Sequence, residues 1–553
     1  MLNRSPRVLL LYPPQAQPFL PHLALPLLCA VLKQEGIDAS LRDLNLEAYE
    51  HFLSPAVLTD LGMDAARAAA VESAGQWLRG GQTWYEREGY YASIARIREA
   101  LEFVSSAYTG AAWSLKSFSI SGCSVESFKD ILRATEARAS NLFLPFYEAR
   151  VDDLLAKDAD LVGISVSWRD QLIPAFTLAR VLKQRNPSLK ICMGGSMISH
   201  LAAALKTRRE PFRFVDFFIP MEGEDSLPAL VRALPDAAFD AVPNLIWWNR
   251  FRIASNRPAP PANLSQLPIP DFTDLSLNRY YSPRPYLPVL TSRGCYWGKC
   301  AFCSHHISGN TFRQRKASEV VDEMDALSKA HDCHDFYLVD DSLPPALARH
   351  FSEELVRRRR PYRWAAELRL EQGMDAAYFR TLKAGGAHLL LFGLESGNQR
   401  VLDLMDKGLD RTVARRVLSD ASQAGITTWV FFFVGFPGET TAEADDTLQF
   451  LLDERAHIDM VAGGTFTLTR NSPIFDNAER FGIELIVEDP RHDLELTPHF
   501  YLQKQLRQDP RPVLTRFKSN ALARKFMAPF VAETHMLFLP KTDGESGNEC
   551  SLC

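Results

Sequence analysis

TSRGCYWGKCAFC, residues 291–303, sets three thiols within nine residues, at Cys295, Cys300 and Cys303. Three thiolates leave a tetrahedral zinc site one ligand short, and no further C-x2-C pair lies nearby. His305 or His306 could complete a Cys3His set, so zinc stays open on chemistry alone. An iron–sulfur cube held by three thiolates instead leaves one iron open to a substrate or cofactor. The stretch follows an apolar strand pattern and Arg293-Gly294. Gly298 permits a tight wrap, and Trp297 and Phe302 would keep water from a cluster.

Working outward, the stretch opens a strand–helix series. Strands are expected at Leu287–Ser292, Phe336–Asp340, Trp364–Leu368, Leu389–Glu395, Trp429–Val434 and about Asp459–Thr467, with helical patterns between them. Repeated βα units in one direction predict a full or partial barrel, whose active face is the rim at the strands' carboxyl ends. The three-cysteine loop, Asp340-Asp341, Glu367, Glu395-Ser396 and Gly435-Phe436 all fall at such ends.

Upstream, a second α/β rhythm runs from Val8–Tyr12 through Ala39–Leu44, Asp160–Ser167, Leu189–Met193 and Val215–Ile219. It predicts a doubly wound, Rossmann-like parallel sheet. Its ligand edge would carry Pro14 and Gln15, Asp43 and Asn45, Ser165, Ser167 and Trp168, Gly194, Gly195 and Ser196, and Glu222, Gly223 and Glu224. The first turn lacks G-x-G-x-x-G, which argues against a dinucleotide. Residues 46–150 are too many for a loop and read as a helical insertion. The expected organisation is a first domain over 1–255, a Pro-rich linker over 256–286, a barrel over 287–475 and a C-terminal extension over 476–553.

A chain of 553 residues is too long for one core, and a net charge of −5 offers no nucleic-acid footprint. The start lacks a signal-peptide pattern, and the most apolar stretch, Trp429–Phe436, is far shorter than a membrane span. A cytoplasmic protein is expected. Nine cysteines in a reducing compartment point to metal or catalysis rather than disulfides.

TSRGCYWGKCAFC resembles the cluster loop of the radical S-adenosylmethionine (SAM) enzymes. Its spacing is C-x4-C-x2-C where the usual one is C-x3-C-x2-C. GLESGNQRVLDLMDKG (393–408) and VGFPGET (434–440) resemble the same family's fourth- and fifth-strand segments. The resemblance implies a 4Fe–4S cluster on Cys295, Cys300 and Cys303, with SAM bound to its open iron. Phe302, Asp340, Glu367, Arg369, Glu395, Ser396, Gly435 and Phe436 would form the SAM site. Arg369 would pair with the carboxylate, Glu395 and Ser396 would meet the ribose or the ammonium, and Gly435-Phe436 would lie against the adenine.

YPPQAQPFLPHLALPLLCAVLKQEG (12–36), DLVGISVSW (160–168), GGSMIS (194–199) and MEGEDSLPAL (221–230) resemble the cobalamin-binding domain that precedes the radical domain in one large subfamily. The D-x-H-x-x-G signature is absent, so no histidine from that motif would reach cobalt. The resemblance implies a cobalamin-dependent radical SAM enzyme, most of all a C-methyltransferase acting on an unactivated carbon of a peptide or small molecule. An electron donor such as flavodoxin or ferredoxin would reduce the cluster. Rearrangement, cyclisation or ring contraction with the same cofactors is the alternative. A metal- or cobalamin-binding sensor is the non-enzymatic rival. Cys29 and Cys192 read as core residues, Cys333 as part of a turn, and Cys550 and Cys553 as thiols of a terminal tail.

Overall fold

All of Leu161–Ser165 is buried, as are five of the six residues of Arg7–Tyr12. Strands covered on both faces need continuous apolar runs, which is why these segments build a parallel sheet. The computed structural model describes residues 6–81, 84–304, 311–506, 508–509, 511–520 and 537–539. The chain divides into two units. The first comprises Met1–Gly81, Glu88–Arg284 and Asp489–Glu495, and the second Gln82–Arg87, Pro285–Glu488 and Leu496–Cys553.

The strands of the first unit are β1 (Arg7–Tyr12), β2 (Asp38–Asp43), β3 (Ala111–Trp113), β4 (Phe118–Ile120), β5 (Leu161–Ser165), β6 (Lys190–Gly194), β7 (Phe217–Ile219), β8 (Ile246–Trp248) and β9 (Ile253–Ser255). Seven form one sheet in the order β2-β1-β5-β6-β7-β8-β9, parallel through β7 and closed by an antiparallel hairpin. The winding reverses between β1 and β5, so a ligand crevice belongs at their carboxyl ends. Residues 46–150 are mostly helical, with β3 and β4 as a small hairpin. Gln15, just past β1, ties this insertion to the sheet. Its amide donates to the Tyr49 hydroxyl (2.8 Å) and the Ser114 carbonyl (2.9 Å), and it accepts from the Trp113 indole.

The Pro-rich stretch over 256–286 is not a free linker. Up to Arg284 it belongs to the first unit. The Tyr280 hydroxyl donates to Asp43 (2.7 Å), and the Asp271 carboxylate and the Asp274 carboxylate take Lys33 and the Leu41 N–H. Proline density sets a stiff, extended path, and these tertiary bonds decide where it lies. Residues 489–495 also return to this unit: Asp493 accepts from the Phe128 N–H (2.9 Å) and Leu494 donates to the Glu126 carbonyl (2.8 Å).

The second unit holds β10 (Tyr286–Val289), β11 (Ser292–Arg293), β12 (Arg313–Gln314), β13 (Asp335–Leu338), β14 (Arg363–Leu368), β15 (Ala387–Glu395), β16 (Thr427–Val434), β17 (Met460–Thr465), β18 (Ile483–Val487) and β19 (His499–Leu502). Its main sheet has the order β10-β13-β14-β15-β16-β17, parallel throughout and in chain order, as in a partial (β/α)6 barrel. The expected strands are all present, with ends displaced by one to three residues; the largest change is in the first, which ends at Val289 rather than Ser292. The extension contributes the β18–β19 hairpin and the helix Arg511–Ser519. No described helix is long and apolar enough to cross a membrane.

Candidate functional site

The three-cysteine loop leaves the carboxyl end of β10 and is fixed from several sides. Asp340, past β13, is buried and clamps its start. The carboxylate accepts from the Thr291 N–H (3.1 Å), the Thr291 hydroxyl (2.9 Å), the Ser292 hydroxyl (2.8 Å) and the Ser292 N–H. Burial pushes its pKa up to about 6. The Trp297 indole donates to the Asp406 carbonyl (2.9 Å) and lies over Gly408, where φ is +64° and a Cβ would overlap the ring. Ala301 donates its N–H to Met405 and accepts from Ile474, both at 2.8 Å. Ala301 thereby seats in a core with Met405, Phe436 and Ile474, while Phe302 meets Phe433 edge-on at 5.1 Å.

Cys295, Cys300 and Cys303 are partly exposed, and none of them is in a disulfide. Three thiolates leave a tetrahedral zinc one ligand short, whereas a cube takes three and keeps one iron open. The donor set, three thiols on a barrel rim, therefore fits an iron–sulfur cluster. His305 and His306 lie outside the described residues, as do Cys550 and Cys553.

Two cations flank the loop. Lys407 is buried, and its ammonium donates to Glu395 at 2.8 Å. Arg369 lies 4.5 Å above the Trp297 ring and directs Nη1 at the Cys300 sulfur (3.8 Å). Burial raises the Cys300 thiol's pKa, while Lys407 and Arg369 pull it back down. Glu395 itself takes a positive φ of 64°, next to a register shift in the β15–β16 pairing. The shift turns its carboxylate toward Lys407 rather than along the strand. Gly435, at the end of β16, donates its N–H to Glu439.

Not every rim residue expected to meet SAM is open to a ligand. Asp340 is occupied with the loop clamp. Ser396 is fully buried, sharing a hydrogen bond with Thr447 (3.0 Å) and accepting from the Asn398 N–H (3.2 Å). Phe436 is core, packed on Phe466 and Phe481. Glu367, Glu395, Gly435 and Phe302 remain partly exposed. Lys407, Glu371 and Glu439 were missed. Lys407 and Glu439 stand inside the two quoted segments, but spacing alone does not reveal an ion pair across a turn.

The carboxyl edge of the first sheet divides in the same way. Gln15, Asp43, Asn45 and Glu224 are buried. Asn45 accepts from the Ala16 N–H (2.9 Å), and Asp43 caps the following helix through the Leu46 N–H (2.9 Å). Pro14 and Ser165 are buried as well. Ser167, Gly194, Gly195, Ser196, Glu222 and Gly223 are at least partly open, and Trp168 is 58% exposed. At the switch point the loops after β1 and β5 meet. Gln171 donates to the Pro13 carbonyl (2.6 Å), and the Ser167 hydroxyl lies 3.1 Å from His22 Nε2. His22 stacks on Tyr12, and burial lowers its pKa to about 4, which keeps the ring neutral. Gly195 has φ +106°, and a Cβ there would collide with the Val166 backbone. The smallness of that position thus serves backbone packing.

A parallel barrel rim bearing three clustered thiols, preceded by a doubly wound sheet, defines the class of the protein. Residues 289–451 match the Radical SAM superfamily, and that part of the chain is a radical SAM domain. An uncharacterized methyltransferase of Pyrococcus horikoshii is 27% identical over 299 residues, covering 53% of this chain and 64% of the relative. An anaerobic magnesium-protoporphyrin IX monomethyl ester cyclase of Rubrivivax gelatinosus is 27% identical over 309 residues, covering 53% and 54%. The matches thus span less than two thirds of the length of these relatives. The radical SAM methyltransferase TsrM of Kitasatospora setae, solved with cobalamin and a 4Fe–4S cluster, shares the fold: TM-score 0.56, 17% identity, 86% of this chain and 78% of that one.

Proposed function

We propose that the chain is a cobalamin-dependent radical SAM enzyme that transfers a methyl group to an unactivated carbon of a peptide or small-molecule substrate. The observation that carries this reading is the cysteine loop: three partly exposed thiols on a barrel rim, locked by Asp340 and Trp297. When bound, the cluster and SAM supply a hydrogen-abstracting radical, and cobalamin supplies a transferable methyl group. Cys295, Cys300 and Cys303 would hold the cluster, and Trp297 and Phe302 would keep water from it. Glu395, oriented by Lys407, would accept hydrogen bonds from the ribose or ammonium of SAM. The open edge at Ser167, Trp168, Gly195, Ser196 and Glu222 would receive cobalamin. The fold shared with the cobalamin-bound methyltransferase and the methyltransferase relative support this assignment.

A cytoplasmic setting suits free thiols, and a flavodoxin or ferredoxin would deliver the electron. The cyclase relative favours one second reading, cyclisation or rearrangement with the same cofactors. Product mass separates the two, since methyl transfer adds one methylene. The decisive test is anaerobic reconstitution with iron, sulfide and cobalamin, then SAM, reductant and candidate substrates. 5′-Deoxyadenosine and S-adenosylhomocysteine are expected; formation of neither would overturn the catalytic reading.

A further inference from the structure

Arg369 is 5% exposed, and its guanidinium is committed. One face lies on Trp297, Nη2 donates to the Lys407 carbonyl, and Nε reaches Glu371 at 3.4 Å. Nη1 points at the Cys300 sulfur, 3.8 Å away. A planar fork held on four sides cannot turn to grip a carboxylate in the two-pronged manner the resemblance implied. We infer that Arg369 serves the cluster instead: it donates a hydrogen bond to the sulfur of Cys300 and raises the cluster's reduction potential. This rests on the reading that the cysteines hold an iron–sulfur cluster.

The physical reason is charge. Reduction adds one electron to the cluster, and a cation hydrogen-bonded to a ligand sulfur stabilises the more negative state. The other nearby cation, Lys407, is largely offset by Glu395 at 2.8 Å. Arg369 has the weaker partner: Glu371 lies 3.4 Å from Nε, and the same oxygen accepts from the Tyr296 hydroxyl at 2.7 Å. Trp297 keeps the fork flat, so that Nη1 stays aimed at sulfur.

The test is an EPR-monitored redox titration of the reconstituted wild type, Arg369→Met, Arg369→Lys and Trp297→Leu, with iron and sulfide counted and SAM affinity measured in each. Arg369→Met should keep a full cluster and shift the midpoint negative. The expected change is about tenfold in the reduced-to-oxidised ratio at fixed potential, about 59 mV for one electron. Arg369→Lys and Trp297→Leu should shift the same way by less, and SAM affinity should change less than threefold. If Arg369→Met assembles no cluster, Arg369→Lys decides. An unmoved midpoint with SAM affinity down tenfold or more would assign Arg369 to the SAM carboxylate and overturn the inference; so would no change in either. A wild type that assembles no cluster would instead remove the reading of the cysteines.

Discussion

Glu439 is a single residue whose chemistry depends wholly on where the chain puts it. It is 5% exposed; one carboxylate oxygen accepts the Gly435 N–H, and the other, Oε1, has no hydrogen-bond partner among the described residues. Burial holds its pKa up to about 7, against an ordinary 4.5. The folded state therefore binds this proton more tightly than the unfolded chain. Between those two values stability falls as pH rises, because the folded state must give up a proton it retains and the unfolded chain has already lost. Glu439→Gln should flatten that slope. Relative to wild type it should gain stability between pH 5 and 8, by at most about 3 kcal/mol. Urea denaturation across this range measures it, and parallel pH profiles for the two proteins would contradict the assignment. Nothing in VGFPGET announces this behaviour: the residue type is visible in sequence, whereas its loss of water is not.

At the scale of elements, the strands were legible because their signal is local. An apolar run bounded by Pro, Gly or Asp needs no partner to be recognised, and Val8–Tyr12 became Arg7–Tyr12 with only its first residue changed. The loop's support was not legible, because its partners lie far along the chain. Asp340 reaches back 49 residues to Thr291, and Trp297 reaches forward 109 residues to Asp406. Gly408 reads in sequence as a turn glycine after a short helix, yet its φ of +64° and the ring above it make it a seat for Trp297. Gly408→Ala should displace that ring and cost about 1–3 kcal/mol in strain. Reconstituted protein should then hold less iron and sulfide per chain than wild type. A variant with an unchanged denaturation midpoint and a full cluster would show that the loop does not depend on this contact.

At the scale of the whole molecule, each unit has its own core, so the two proposed cofactor sites should fail separately. Trp168→Ala removes a side chain that is 58% exposed and should leave stability within about 0.5 kcal/mol. It should nonetheless lower cobalamin retained after desalting while leaving the cluster spectrum intact. Cys300→Ala should do the reverse. Equal cobalamin retention in wild type and Trp168→Ala would remove Trp168 from the site. What the sequence by itself determined here is periodicity and motif: two α/β sheets, a helical insertion and three thiols at the end of a barrel strand. All of these are patterns within a few residues. Only the tertiary structure decided which rim residues stay open, that Lys407 and Arg369 flank Cys300, and that the Pro-rich stretch lies along the first unit. Burial and charge pairing depend on residues brought together from distant parts of the chain, and no local pattern encodes them.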